Sequence, residues 1–317
     1  MRLYKRDTEL HVFTHGPSSE TDDTVVYDFT KAEKTIIKDL HMDFSVRLDE
    51  TKDPNIGVFR IYNLSAANRG KFSQDHQGIE FHAGYDGDRA LIFRGYTNNV
   101  VHNRQGTDWV TQIFAMDAEK QYLNRTFNKT YPAGTRVDNI VKDVGSSMGL
   151  PVSVTGLLET DTITVSETYV GLCKDVLDDI AQDWLLDWSV LFGTIEVKAA
   201  GSVFESDPTV TVISKDTGMI ESPEVSEWTD PGKKKKKRKN NRKKVNWGIK
   251  VRSLLLAGIR PGRAVKVEAQ DVLITENLNE VSISNLNMSG IYLAKKVSYT
   301  GNNYGGPYEV EIEGELT

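Results

Sequence analysis

The sequence predicts an α+β, mainly β protein in which two antiparallel β-barrel domains flank a small α/β middle domain. Near both ends, apolar residues recur at every second position in long runs that close in Gly- or Asn-containing turns. Between those ends the apolar period lengthens to that of a helix. A chain of 317 residues, 38% apolar and 26% charged, has room for two or three domains and lies in the globular range.

From Thr35 to Leu48 the residues Ile36, Leu40, Met42, Phe44, Val46 and Leu48 alternate with polar neighbours, which predicts one long half-buried strand. Pro54-Asn55 turns the chain into a strand over Val58 to Tyr62. Ser65 can cap a short helix over Ala66 to Phe72, because its hydroxyl accepts a free N–H of the first turn. Strands follow at Ile79 to Tyr85, Leu91 to Val101 and Trp109 to Ala115, the last two separated by Asn103-Arg104-Gln105-Gly106. Residues 1–116 thus form a first antiparallel β-domain, closed or strongly curled to protect its edges.

Residues 117–200 form the α/β middle domain. Val137, Ile140, Val141, Val144 and Met148 share one helical face, opened by Thr135 and stopped by Gly149. Leu172, Val176, Leu177, Ile180, Ala181, Trp184 and Leu185 make a second apolar face, opposite Asp175, Asp178, Asp179 and Asp183. Strands are expected at Pro151 to Val154 and at Trp188 to Phe192, the latter pairing with Ile195 to Lys198. Residues 201–244 are a connecting region with a strand near Thr209 to Ile213. In 245–317 alternation resumes, with Val265, Val267 and Ala269 on one face, then Ile291, Leu293, Val297 and Tyr299, then Tyr308, Val310 and Ile312. That second β-barrel domain is completed by strands from the connecting region, and its final strand pairs back into its own sheet.

The net charge of −6 conceals a segregation. Lys233, Lys234, Lys235, Lys236, Lys237, Arg238, Lys239, Arg242, Lys243 and Lys244 fill ten of twelve consecutive positions, and discounting them leaves −16 on the rest of the chain. No apolar residue anchors the run, so 233–244 is expected to be an exposed loop whose charge serves a partner or DNA. No apolar stretch approaches the ~18 residues of a membrane span, and the N-terminus lacks a signal-peptide core, so the chain is expected to start in the cytoplasm without inserting into membranes. Cys173 is the only cysteine, which excludes an intrachain disulfide.

No catalytic constellation, cofactor motif or metal spacing emerges. His11, His15, His41, His76, His82 and His102 follow no zinc-binding pattern, and His41 and His82 fall on polar strand faces where an exposed histidine is expected. Asp75-His76 has no nucleophile elbow to serve. The aspartate row of the second middle helix lacks the loop and bidentate glutamate of a calcium site, which leaves a solvated helix face. Gly301-Asn302-Asn303-Tyr304-Gly305-Gly306 lacks the Lys-Ser/Thr ending of a phosphate loop and is a hairpin turn.

The order of several strings along the chain resembles the baseplate hub proteins of contractile-tailed bacteriophages, the family that includes late control protein D and is related to the base of type VI secretion spikes. The strings are Phe59-Arg60-Ile61-Tyr62-Asn63-Leu64-Ser65, Ile92-Phe93-Arg94-Gly95, Ala118-Glu119-Lys120-Gln121-Tyr122-Leu123, Trp188-Ser189-Val190, Leu254-Leu255-Leu256-Ala257-Gly258-Ile259-Arg260-Pro261-Gly262, and Gly290-Ile291-Tyr292-Leu293 with Gly301-Asn302-Asn303. The resemblance implies a structural homotrimer without enzymatic activity, in the virion tail baseplate after assembly in the host cytoplasm. Its two tube-like barrels per subunit would line a pseudo-sixfold ring between the tail tube and the central spike, with wedge and tape-measure proteins as further partners and DNA in transit. Lumen faces are then expected to be polar or acidic, through residues such as Asp39, Asp43, Glu309, Glu311 and Glu313. The basic run is not part of that pattern. It supports the alternative of a nucleic-acid-binding protein, although it lacks aromatic residues for base stacking. A glycan-cleaving tail enzyme is disfavoured because no paired-carboxylate motif is present.

Overall fold

The computed structural model describes residues 5–13, 29, 33–50, 54–72, 77–117, 125–200, 202, 210–227, 247–269, 273–274 and 289–316. The first β-unit contains β1 (Arg6–Phe13), β2 (Lys34–Lys38), β3 (Met42–Asp49), β4 (Ile56–Tyr62), α1 (Ala66–Gly70), β5 (Gly78–Tyr85), β6 (Asp88–Gln105) and β7 (Asp108–Met116). The middle contains β8 (Thr126–Tyr131), α2 (Val137–Met148), β9 (Val152–Thr155), β10 (Glu167–Leu172), α3 (Cys173–Trp184), β11 (Leu186–Leu191) and β12 (Thr194–Ala199). The second β-unit contains β13 (Thr211–Ser214), β14 (Glu224–Glu227), β15 (Trp247–Leu254), β16 (Ala264–Glu268), β17 (Leu273–Ile274), β18 (Gly290–Asn302) and β19 (Tyr308–Leu316).

The two β-units share one topology. In the first, β3, β4, β5, β6 and β7 lie in the order β3-β4-β7-β6-β5, every neighbouring pair antiparallel. In the second, β14, β15, β16, β18 and β19 lie in the order β14-β15-β19-β18-β16, again all antiparallel. Numbered along the chain, both sheets run first, second, fifth, fourth, third. Each fourth strand is long, carries a register shift against the fifth, and is paired with the third over its N-terminal part only. The two sheets are also continuous, because β18 pairs with β3. They share one hydrophobic core, running from Leu10 through Phe44, Phe59, Phe81 and Phe93 to Tyr292, Tyr299 and Ile312.

Several elements depart from expectation. The predicted single strand over Thr35 to Leu48 is two strands broken at Asp39, whose φ of 59° turns the chain. Across that break the phase inverts, so Ile37 is buried and Ile36 is exposed. Ile291 is exposed for a related reason: the register shift between Ala294 and Lys296 moves the core face from Tyr292 and Ala294 to Val297 and Tyr299. α2 starts from Arg136, one residue after Thr135, whose hydroxyl bonds back to the Pro132 carbonyl. Leu185 is not on the buried face of α3 but is the exposed left-handed residue that ends the helix. β1, β8 and β10 were not anticipated. The Ser65 cap forms as expected, accepting from the Asn68 N–H at 3.2 Å.

The middle unit has its own core of Val137, Ile140, Val144, Ile180, Ile195 and neighbours, with Cys173 as a small member of it. It docks through the β11–β12 hairpin, whose Leu191 and Phe192 join the core of the β-units. Asn55 and Asp117 close the seam beneath it: the Asn55 backbone N–H and side-chain amide donate to Asp117 at 2.9 and 2.7 Å, and the same amide donates to the Val190 carbonyl at 2.9 Å. Burial pushes the Asp117 carboxyl from 3.8 up to about 7, against the Asn55 hydrogen bonds that oppose the rise. Between those two values the folded chain keeps a proton that the unfolded chain has released, so this group's contribution to stability falls as pH rises from about 4 to about 7. Asp117→Asn should therefore gain on the native protein as pH rises through that window, by on the order of 1.4 kcal/mol per pKa unit removed. Chemical denaturation at several pH values reads the difference directly; a gap that does not change with pH would contradict the assignment.

Candidate functional site

The joint between the two sheets is the most elaborated surface in the chain. Residues Lys296 to Asn302 of β18 lie antiparallel to Asp49 to Asp43 of β3. Near its end Phe44, Gly301 and Tyr308 stand in one row across three strands, and the absence of a side chain at Gly301 lets the rings approach. A Cβ there would lie 2.3 Å from the Phe44 ring and 2.8 Å from that of Tyr308. Phe44 also packs on Phe81 at 5.0 Å between centroids, and Tyr308 on Tyr85 at 5.4 Å. The tip of the β18–β19 hairpin locks into the first unit. The Asn303 side chain accepts from the Met42 N–H at 2.9 Å and donates to Thr8 Oγ1 and the Leu40 carbonyl, while Arg6 donates to the carbonyls of Asn302 and Gly306. Gly301 to Gly306 thus ends a strand and turns into the next, as the sequence predicts.

The equivalent strands at the other ends of the two units, β6 and β14, are not paired with each other among the described residues. From Asn98 to Gln105, β6 pairs with β7 alone among the described residues, because β5 reaches only to Tyr96. The β6–β7 hairpin is the counterpart of β18–β19, and its end from Val101 to Thr107 is exposed throughout. The counterpart of β3 is β14, whose outer edge meets β17 at Glu224 and Val225 and no other strand among the described residues. The β18·β3 joint is thus complete within the chain, whereas the corresponding strands β6 and β14 are not paired with each other among the described residues.

The outer face across the completed joint mixes Asp43, Ser45, Arg60 and Thr300 with Val58 and Phe114, and its acidic groups are paired with bases. Asp43 lies on it beside Arg60, and Glu309, Glu311 and Glu313 of β19 are each answered by a base on an adjoining strand. The pairs are Arg252–Glu309 at 2.8 Å, Lys250–Glu311 at 3.2 Å and Lys296–Glu313 at 2.6 Å. Asp39 is off this face, in the bend between β2 and β3.

Lys233 to Lys244 lie outside the described residues, as do His15, Asp75-His76 and the string Ala118 to Leu123. Chain order nonetheless puts the basic run in the β14–β15 connection, the counterpart of the short β3–β4 connection in the first unit. Of the helical aspartates, Asp178 accepts from the Trp188 indole N–H at 2.8 Å, and among the described residues the row gathers no third metal-type ligand. His82 is not an exposed strand histidine. It is half-buried beside His11 and Glu80, and this cluster escapes a search by sequence spacing because His11 and His82 are 71 positions apart and meet only through the β1·β5 pairing. The repeated Glu-x-His triplets at Glu9 to His11 and Glu80 to His82 are the signal that could have revealed it.

No protein-family model matches the chain, and no curated protein matches its sequence. Solved structures do match its fold. A tail protein from Neisseria meningitidis superposes over 98% of this chain and 97% of its own, with a TM-score of 0.59 at 11% identity. The 43 kDa tail protein of prophage MuSo2 from Shewanella oneidensis covers 89% of this chain and 96% of its own, with a TM-score of 0.57 at 8% identity. A type VI secretion component from E. coli, itself described as similar to bacteriophage tail proteins, covers 87% and 73%, with a TM-score of 0.55 at 11% identity. At these identities the likeness establishes a shared fold.

Proposed function

We propose that this chain is a structural hub of a contractile-tail baseplate, of the late control protein D kind, in which three copies close into a ring of six β-units. The observation that carries this reading is the repeated strand order, with its joint formed once inside the chain while the corresponding strands β6 and β14 have edges only partly paired among the described residues. Pairing β6 of one copy with β14 of the next would repeat the β18·β3 joint in a head-to-tail contact, and such contacts give a closed ring when the rotation closes. Closure at three copies comes from the resemblance to phage hubs and matches a sixfold tube to a threefold spike. Tail tube, central spike, wedge and tape-measure proteins are the partners this role calls for, in the virion after assembly in the host cytoplasm. The work is done by matching surfaces and not by catalysis. The charge-balanced face across the joint suits a wall past which DNA moves without being held, since its acids and bases cancel locally.

The basic run at Lys233, Lys234, Lys235, Lys236, Lys237, Arg238, Lys239, Arg242, Lys243 and Lys244 is the proposed contact for an acidic partner or for DNA. Replacing these ten residues with Ser and Gly should change subunit stability by less than about 0.5 kcal/mol, as surface substitutions do, while tail assembly or DNA delivery weakens. The same variant separates the hub from a nucleic-acid-binding protein. If the hub reading holds, the native chain binds duplex DNA weakly at physiological salt. Tight binding that falls steeply with salt and vanishes in the variant would favour the nucleic-acid reading instead.

A further inference from the structure

Glu9-Leu10-His11 on β1 and Glu80-Phe81-His82 on β5 are the same triplet on antiparallel neighbours, in a register that sets Glu9 opposite His82 and His11 opposite Glu80. Alternation sends Leu10 and Phe81 into the core and gathers the four polar side chains on the other face. Although that face is turned from the core, Glu9, His11 and Glu80 are all below 10% exposed. His11 Nδ1 lies 3.3 Å from Glu80 Oε2, the His11 and His82 rings are 4.5 Å apart at their centroids, and ligating atoms of His11, Glu80 and His82 all fall within 4.8 Å of one another. His82 Nδ1 is buried with no hydrogen-bond partner among the described residues, a costly arrangement unless something occupies it.

We propose that His11, Glu80 and His82 form a binding site for a divalent transition metal of the Zn²⁺ class. Two imidazoles and one carboxylate are a donor set suited to such an ion and poorly suited to Mg²⁺ or Ca²⁺. Ligands about 2.0–2.2 Å from a tetrahedral ion stand roughly 3.4 Å from each other, close to the His11–Glu80 separation. The surroundings hold these ligands in place. Glu9 Oε1 takes His11 Nε2, which leaves Nδ1 free to ligate; Arg94 holds Glu80 Oε1 at 2.7 Å through Nε and at 2.6 Å through Nη2, which leaves Oε2 facing the site; Arg89 holds Glu9 at 2.8 Å. Lys34 Nζ, 3.4 Å from His11 Nδ1, competes for that atom among the described residues and belongs to an exposed residue. An ion here would staple the first strand of the chain to the sheet beside it.

The test is calorimetric titration of the metal-stripped full chain with Zn²⁺ alone, repeated for His82→Ala and Glu80→Gln with folding checked by circular dichroism. One Zn²⁺ per chain is expected, bound at least ~10–100-fold more weakly in each variant. No uptake by the native chain, or equal uptake by His82→Ala, would overturn the proposal. If either variant fails to fold, the visible spectrum of Co²⁺ added to the native chain decides: intense bands of low-coordinate Co²⁺ are expected, and the weak spectrum of the hydrated ion would overturn it.

Discussion

Replacing His102 by proline should abolish ring assembly while leaving the subunit folded. His102 stands opposite Thr111 in the β6–β7 hairpin, three residues before Gln105, which pairs with Asp108 across the two-residue turn. Hydrogen-bonded and non-bonded pairs alternate in an antiparallel ladder, so with Gln105 and Asp108 bonded across the turn, His102 directs its N–H away from β7 toward the open edge. Proline removes that donor, and an edge strand tolerates it where a central one does not. The local loss is the 3.0 Å contact of His102 Nδ1 with the buried Thr111 Oγ1 and the ring contact with Phe72, so the thermal midpoint should fall modestly while the subunit stays folded. The yield of complete tails and sedimentation of the purified chain measure the effect. Normal tails from the variant would show that this edge joins nothing.

The second large effect is expected at the completed joint. Phe44→Ala should cost about 3–5 kcal/mol, since it removes a buried ring that meets Phe81 and Tyr308 and leaves a cavity where the two sheets fuse. Gly301→Ala in the same row should cost about 1–3 kcal/mol by overpacking, because the added methyl has two aromatic rings in its way. Urea denaturation measures both. If the two β-units were independent bodies, Phe44→Ala would split the transition into two steps; a single cooperative transition at lower urea is the expected result.

The strands facing the shared core were legible in the sequence because a half-buried strand writes its two-residue period directly. Met42 to Leu48 and Tyr308 to Ile312 are examples. Alternation failed where the backbone changed phase, at the Asp39 bend and at the Ala294/Lys296 shift, because a single extra or turned residue exchanges the two faces. Among the described residues β8 and β10 pair only with each other, and their exposed positions leave little apolar pattern to detect. The shared topology of the two units was legible only as similarity of composition, since strand order depends on pairings such as β4·β7 and β15·β19 between segments far apart in sequence. The His11, Glu80 and His82 cluster was hidden for the same reason, and His82 was expected to be exposed because it lies on the polar side of its strand.

Electron microscopy of the assembled tail, at a resolution that traces strands, tests the hub most directly. The account predicts three copies at the junction of tube and spike, six β-units around the channel, β6 of each copy beside β14 of the next in the manner of β18 beside β3, and the face bearing Glu309, Glu311 and Glu313 turned to the lumen. Six copies in one ring, or copies placed away from the channel with β6 unpaired, would contradict it.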